Sequence, residues 1–87
     1  MHVTVHTAAV PGGKSSISNT AAELVRMSFN PSKVEPVDRI KALAAALISE
    51  CEAIRDGRGK GAREAAIAIT EIQTASFFAV AAATADL

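Results

Sequence analysis

The residues most suggestive of chemistry are Gly57-Arg58-Gly59-Lys60-Gly61, where glycines expose backbone amides between cationic side chains. A loop of this kind ahead of a helix attracts anions, because free amides and the helix dipole both favour negative charge. A nucleotide-triphosphatase loop also needs a glycine five positions before its Gly-Lys pair and a Ser or Thr after the lysine for magnesium. Those positions hold Ile54 and Gly61, and no strand precedes the loop. Arg55, Arg58, Lys60 and Arg63 still surround a single Asp56, making this the most basic stretch of the chain. Two uses stay open: a solvated turn whose cations suit the negative end of the preceding helix, or a second anion site at Arg58 and Lys60.

Nothing else assembles into a catalytic set. His2 and His6 would share a face with Thr4 in an extended segment, but two histidines at a terminus read as solvated side chains, and no metal is expected. Ser, His and Asp show no spacing in which one activates another. Glu64 and Glu71 read as surface carboxylates. Cys51, alone in the chain, rules out an internal disulfide or multi-cysteine cluster, fits a reducing cytosol, and suits a small apolar position on a helix. The expectation is a protein that is not an enzyme and uses no cofactor.

These residues must be positioned by a chain of 87 residues, one domain at most. A domain that small buries only about 60% of the surface its unfolded form exposes, so its core is thin. Nine Lys and Arg balance nine Asp and Glu, which gives no reason to expect binding to DNA or RNA polymers or to an acidic membrane. No signal peptide is apparent, and the longest uninterrupted apolar run, Phe77 to Ala83, is far below the roughly 20 residues of a bilayer span. Phe29, Phe77 and Phe78 are the only aromatics, and alanine dominates, which favours helices in close contact.

The pattern predicts an all-α fold: an antiparallel two-helix hairpin preceded by a short helix. Residues 1–28 form an N-terminal arm and 29–87 the helical-hairpin domain. In the arm, Val3-Thr4-Val5 alternates like a short strand and Pro11-Gly12-Gly13 breaks the chain, so the arm is expected to be loosely structured alone. Thr20-Ala21-Ala22-Glu23 has capping-box spacing, predicting a helix from Ala21 to Met27, ended by Asn30-Pro31. Ser32-Lys33-Val34-Glu35 repeats that spacing ahead of Pro36. The first long helix then runs to Arg55 with a seam of Val37, Ile40, Ala44, Leu47, Cys51 and Ile54, widened by Leu43 and Ile48. After the glycine turn, the second runs from Ala62 to Ala83. Its seam is Ala65, Ile69, Ile72, Ser76, Ala79 or Val80, and Ala83.

The second long helix has another apolar face. Arg63, Ile67, Thr70, Thr74, Phe77, Phe78 and Ala81 fall within an arc of about 100° roughly opposite the seam. Two covers are open, the first thirty residues or a further copy of the chain. The arm is small and poor in large apolar groups, so self-association is the preferred expectation.

Phe29-Asn30-Pro31, Val37 with Ile40-Lys41, Arg63, and the run from Ala68 to Val80 together resemble the helical-hairpin domain of phage anti-CBASS and anti-Thoeris sponge proteins. The resemblance covers residues 29 to 83. It implies a phage immune-evasion protein of the bacterial host cytoplasm that sequesters cyclic oligonucleotide signals without cleaving them. The ligands implied are cyclic dinucleotides, with cyclic trinucleotides or cyclic ADP-ribose isomers as further candidates. It also implies a homo-oligomer, commonly a hexamer, with ligands bound between protomers.

Carried onto this chain, the resemblance makes Phe29 the base-stacking aromatic, beside Asn30, with Lys41 or Arg39 as its long-chain partner. Arg63, Thr70 and Thr74 would come from the second long helix of another protomer. Phe29 stands where some members have tyrosine, and Phe78 where tryptophan is frequent. A first helix about 28 Å long separates Phe29 from Arg63 within one hairpin, so the two would share a ligand only across an interface. The rival readings are a structural helical adaptor that oligomerises or binds a partner protein, and an enzyme acting on cyclic nucleotides.

Overall fold

The computed structural model describes residues 1–87. Five elements follow in order: strand β1 (His2–Val5), strand β2 (Gly13–Ser16), and helices α1 (Asn19–Leu24), α2 (Glu35–Asp56) and α3 (Ala62–Ala83). The fold is mostly helical with a packed α2–α3 hairpin, and it differs from the all-α expectation by a small antiparallel sheet. Val3 pairs with Ser15 and Thr4 with Lys14. β1 lies where Val3-Thr4-Val5 alternates. Its partner β2 was missed because Gly13-Lys14-Ser15-Ser16 has none of the branched or aromatic residues that mark strands. Backbone pairing to β1, with Gly12 at φ 75° in the connecting turn, supplies what side-chain propensity does not.

Helix α1 begins two residues earlier than the capping-box reading placed it. Ser18, not Thr20, is the N-cap, accepting from the Ala21 amide at 3.0 Å. Both hydroxyls are drawn to another helix: Ser18 and Thr20 each donate to the Glu52 carboxylate of α2. Ser49 accepts from the Ser18 amide at 3.0 Å, and Ser15 donates to Glu50 at 2.7 Å. A row of hydroxyls on the N-terminal segment therefore meets a row of acceptors on α2. The arm is packed against α2, contrary to the expectation of a loose segment.

Ala21 and Val25 of this segment plug the hairpin, closing a core with Ala45, Ile48 and Ile69. Only twelve of 87 residues are buried, and this cluster holds five of the eight buried apolar ones. Fitting it turns α2 by roughly a quarter turn from the predicted seam. Val37, Lys41, Ala45, Ile48 and Glu52 face inward, while Leu43 (59% exposed), Leu47 and Ile54 face out. The inward face departs from the apolar period because two of its positions, Lys41 and Glu52, are charged residues whose polar ends find partners. The α3 seam is as expected, with Ala65, Ile69 and Ser76 buried and Ile72, Ala79, Val80 and Ala83 partly so.

Between the helices, Gly57 caps α2 in a right-handed conformation and Arg58, not a glycine, takes the left-handed one at φ 54°. No close approach requires the glycines here: a Cβ on Gly57 would make an ordinary 3.4 Å contact with the Ile54 carbonyl oxygen, and one on Gly59 would meet nothing within 4 Å. Because the arm lies on α2, it leaves the outer face of α3 bare. Ile67, Phe77 and Phe78 (74% exposed) have no cover within one chain. By overall length and composition, α3 is long and apolar enough to cross a bilayer, which the uninterrupted-run count did not register. The same helix carries Glu71 and Gln73 in its middle and lays Ala65, Ile69 and Ser76 against the rest of the fold.

Removing the Glu52 carboxylate strands two hydroxyl donors at the α1 cap. Glu52→Ala is expected to destabilise the chain by about 1–3 kcal/mol in chemical denaturation. Amide exchange should quicken first in residues 13–25, and unchanged stability would show that the hydroxyl row does not hold the arm.

Candidate functional site

Phe29 sits in the connection between α1 and α2, which is built from two consecutive tight turns. The Phe29 amide donates to the Arg26 carbonyl at 2.9 Å, and the Lys33 amide donates to the Asn30 carbonyl at 3.1 Å. Each turn contains a non-glycine residue with left-handed backbone, Arg26 at φ 57° and Lys33 at φ 54°. Residues in this region carry strain that surrounding contacts must hold. Two side chains supply those contacts.

Asn30 is the first. Its Oδ1 accepts from the Val34 amide at 3.3 Å, and its Nδ2 donates to the Val34 carbonyl and to Asp38 Oδ1, each at 3.0 Å. Asn30 thus ties down the start of α2, where Val34 is the N-cap and makes no side-chain cap. The Ser32 capping box read from sequence is not used. Lys41 is the second. Its side chain reaches back from α2 and its ammonium donates to the Arg26 carbonyl at 2.7 Å and to the Phe29 carbonyl. Lys41 is only 4% exposed, and burial pushes its ammonium below the ordinary lysine range, with Asp38 pulling the other way.

The Phe29 ring is 67% exposed and stands at an open cleft of about 230 Å³. Asn30, Pro31, Ser32, Val37 and Lys41 form one side of it, Val80 and Thr84 at the end of α3 the other. A pocket for a drug-sized ligand starts at roughly 300 Å³, so this one has room for a single ring system. It offers an aromatic face, the Ser32 hydroxyl, Thr84 Oγ1 as an acceptor while its proton goes to the Val80 carbonyl at 2.8 Å, and apolar surface from Val37 and Val80. That chemistry suits a planar heterocycle.

Of the residues named from sequence, the fold brings together Phe29, Asn30 and Lys41. Arg39, two positions from Lys41, points some 160° away around α2, where it pairs with Glu35 at 2.7 Å. Arg63 lies about 25 Å along α3 from Val80, and Thr70 and Thr74 are exposed on the outer face of that helix. Arg58 and Lys60 are exposed in the turn at the far end of the hairpin, beside an Arg55–Asp56 pair at 3.0 Å. Val80 and Thr84 were missed as cleft residues. Reflecting the chain about Gly59 would have found them, since it sets Val37 at the level of Val80 and Ala81.

Fold and cleft together define a helical hairpin with an exposed aromatic residue at an open cleft ahead of its first long helix. The chain belongs to the Acb2/Tad1 family: the family model described as Acb2/Tad1, hairpin domain, matches residues 20–84, from within α1 to the residue after α3. This is the anti-CBASS and anti-Thoeris sponge family that the residues between Phe29 and Val80 resemble. No curated protein and no solved structure matches the chain.

Asn30 is a scaffold residue as much as a cleft residue. Asn30→Ala is expected to lower stability by about 1 kcal/mol, the usual loss when a helix-start cap is removed, measured by thermal or denaturant unfolding. A change within a few tenths would mean that Val34 is capped without it.

Proposed function

We propose that this protein is a phage immune-evasion sponge that binds cyclic oligonucleotide second messengers in the bacterial host cytoplasm and withholds them uncleaved. The observation that carries this reading is membership of the Acb2/Tad1 hairpin family over residues 20–84. The cleft supports it on independent grounds. One base stacks on Phe29 and fills the cleft, while the phosphates and remaining base of a cyclic dinucleotide extend beyond it. Another protomer covers them.

Arg63, Thr70 and Thr74 on the outer face of α3 supply that cover, with a cation for phosphate and hydroxyls for its oxygens, Thr74 turning its proton away from the Thr70 carbonyl to do so. Arg39, on the opposite side of α2 from the cleft, would also reach a ligand at Phe29 only from a neighbouring copy. Ile67, Phe77 and Phe78 beside the α3 polar groups gain burial by the same contact, so assembly and ligand binding reinforce each other. The assembly proposed is a homo-oligomer, a hexamer by analogy with the family. Cyclic trinucleotides or cyclic ADP-ribose isomers are alternative cargo, and Arg58 with Lys60 form a second anion site if larger rings are held. The exposed apolar stripe Leu43, Leu47 and Ile54 favours one rival, a helical adaptor for a partner protein.

Calorimetry with a panel of cyclic dinucleotides, cyclic trinucleotides and cyclic ADP-ribose isomers tests the reading, and at least one should bind tightly. Base-on-aromatic stacking is worth about 1–3 kcal/mol, so Phe29→Ala should weaken that ligand roughly five- to 150-fold with the oligomer intact by light scattering. A protein that stays monomeric and binds none of the panel is the adaptor.

A further inference from the structure

We propose that the outer face of α2 is a self-complementary surface that pairs two copies of the chain about a two-fold axis, with α2 antiparallel to α2 and the register centred between Leu43 and Leu47. The proposal stands apart from the nucleotide reading. It uses neither Phe29 nor the outer face of α3, and it takes Arg39 out of the ligand contacts, leaving phosphate to Arg63. Leu43 is 59% and Leu47 52% exposed, and both line an open cleft of about 610 Å³. Val3, Val5 and Val10 of the N-terminal hairpin line it from the other side, in a segment that ends before residue 20, where the match to the family model begins. In a single chain these apolar groups stay in contact with water, and a partner that inserts apolar side chains of its own removes both sets from it.

The charges select the partner. Arg39 lies one turn before Leu43, Glu50 lies just under one turn after Leu47, and all four are exposed. At 100° per residue they fall within an arc of about 80°. In an antiparallel pair, the register that sets Leu43 level with Leu47 of the second copy also brings Arg39 to within about 1.5 Å, along the axis, of that copy's Glu50. The two-fold axis repeats the match, so one pairing covers both leucine sets and opposes two cation–carboxylate pairs at their edges. A parallel pair would instead set Arg39 against Arg39 and Glu50 against Glu50. The Arg39–Glu35 pair at 2.7 Å and the Ser15 bond to Glu50 leave further guanidinium donors and carboxylate lone pairs free for this contact.

Light scattering of the full chain without nucleotide tests the pairing, so failure of the sponge reading would leave its result standing. Leu43→Glu, at an exposed helical position, should lower the mass at least twofold with unaltered helical circular dichroism. Arg39→Glu and Glu50→Arg each oppose like charges twice in the pair, and each should weaken association about tenfold. Mixing these two single variants restores opposite charges at both ends of the pair, so the mixture should associate as wild type does. A monomeric wild type or an undiminished mass in Leu43→Glu overturns the proposal. Failure of the mixture to recover also overturns it, and points to an unrelated protein or another register on this face. Should Glu50→Arg fail to fold for want of the Ser15 bond, Leu43→Cys mixed with Leu47→Cys, both carrying Cys51→Ala, replaces it. That mixture should cross-link several-fold more than either variant alone, and equal cross-linking overturns the register.

Discussion

Val25 and Ala21, seated between Ile48 of α2 and Ile69 of α3, form the contact on which the rest of the molecule depends. Two alanine-rich helices have little to bury against each other, and each large side chain that α1 inserts removes apolar surface from both. Once the plug is in place, the rotation of α2 is determined. Lys41 and Glu52 come inward at either side of Ile48, and each must find partners because an unpaired buried charge is far costlier than an exposed one. Glu52 receives the hydroxyls of Ser18 and Thr20; Lys41 holds the turn before α2. The polar contacts that fix the arm and those that fix Phe29 are thus consequences of one apolar insertion.

The same rotation determines what is left outside. Leu43, Leu47 and Ile54 emerge along α2, and Ile67, Phe77 and Phe78 along α3. A chain this short cannot cover both. The exposed ring of Phe29 belongs with them and differs in the backbone beneath it, which Lys41 holds to α2. Leu43 and Leu47 also stand at a cleft, one of about 610 Å³ between α2 and the two strands.

Both long helices, the turn between them and the α3 seam were legible in the sequence, because a 3.6-residue period over six turns is hard to mistake. The phase of α2 was not. Its inward face includes Lys41 and Glu52, and apolar periodicity counts such residues as surface. The second strand was hidden for a related reason, since Ser15 is placed for its hydrogen bond to Glu50 rather than for strand propensity. In the cleft, Phe29, Asn30 and Lys41 were visible as a cluster near the start of the hairpin. Their division of labour was not, as it depends on which atoms each side chain reaches. Val80 and Thr84 belong to the cleft only through the antiparallel return of α3.

A sponge differs from an enzyme in what it leaves undone. Ring opening of a cyclic nucleotide requires a nucleophile in line with the phosphorus and a group to take its proton, whereas the proposed sequestration asks only for stacking and hydrogen bonding. In the proposed assembly, withholding a signal depends on slow release, which an interprotomer site would favour because opening it exposes the apolar faces of α2 and α3. The most direct measurement is mass spectrometry of the nucleotide released by denaturing a complex after prolonged incubation. Recovery of the intact cyclic molecule in proportion to protein is the expected result, and recovery of a linearised or cleaved product would contradict sequestration.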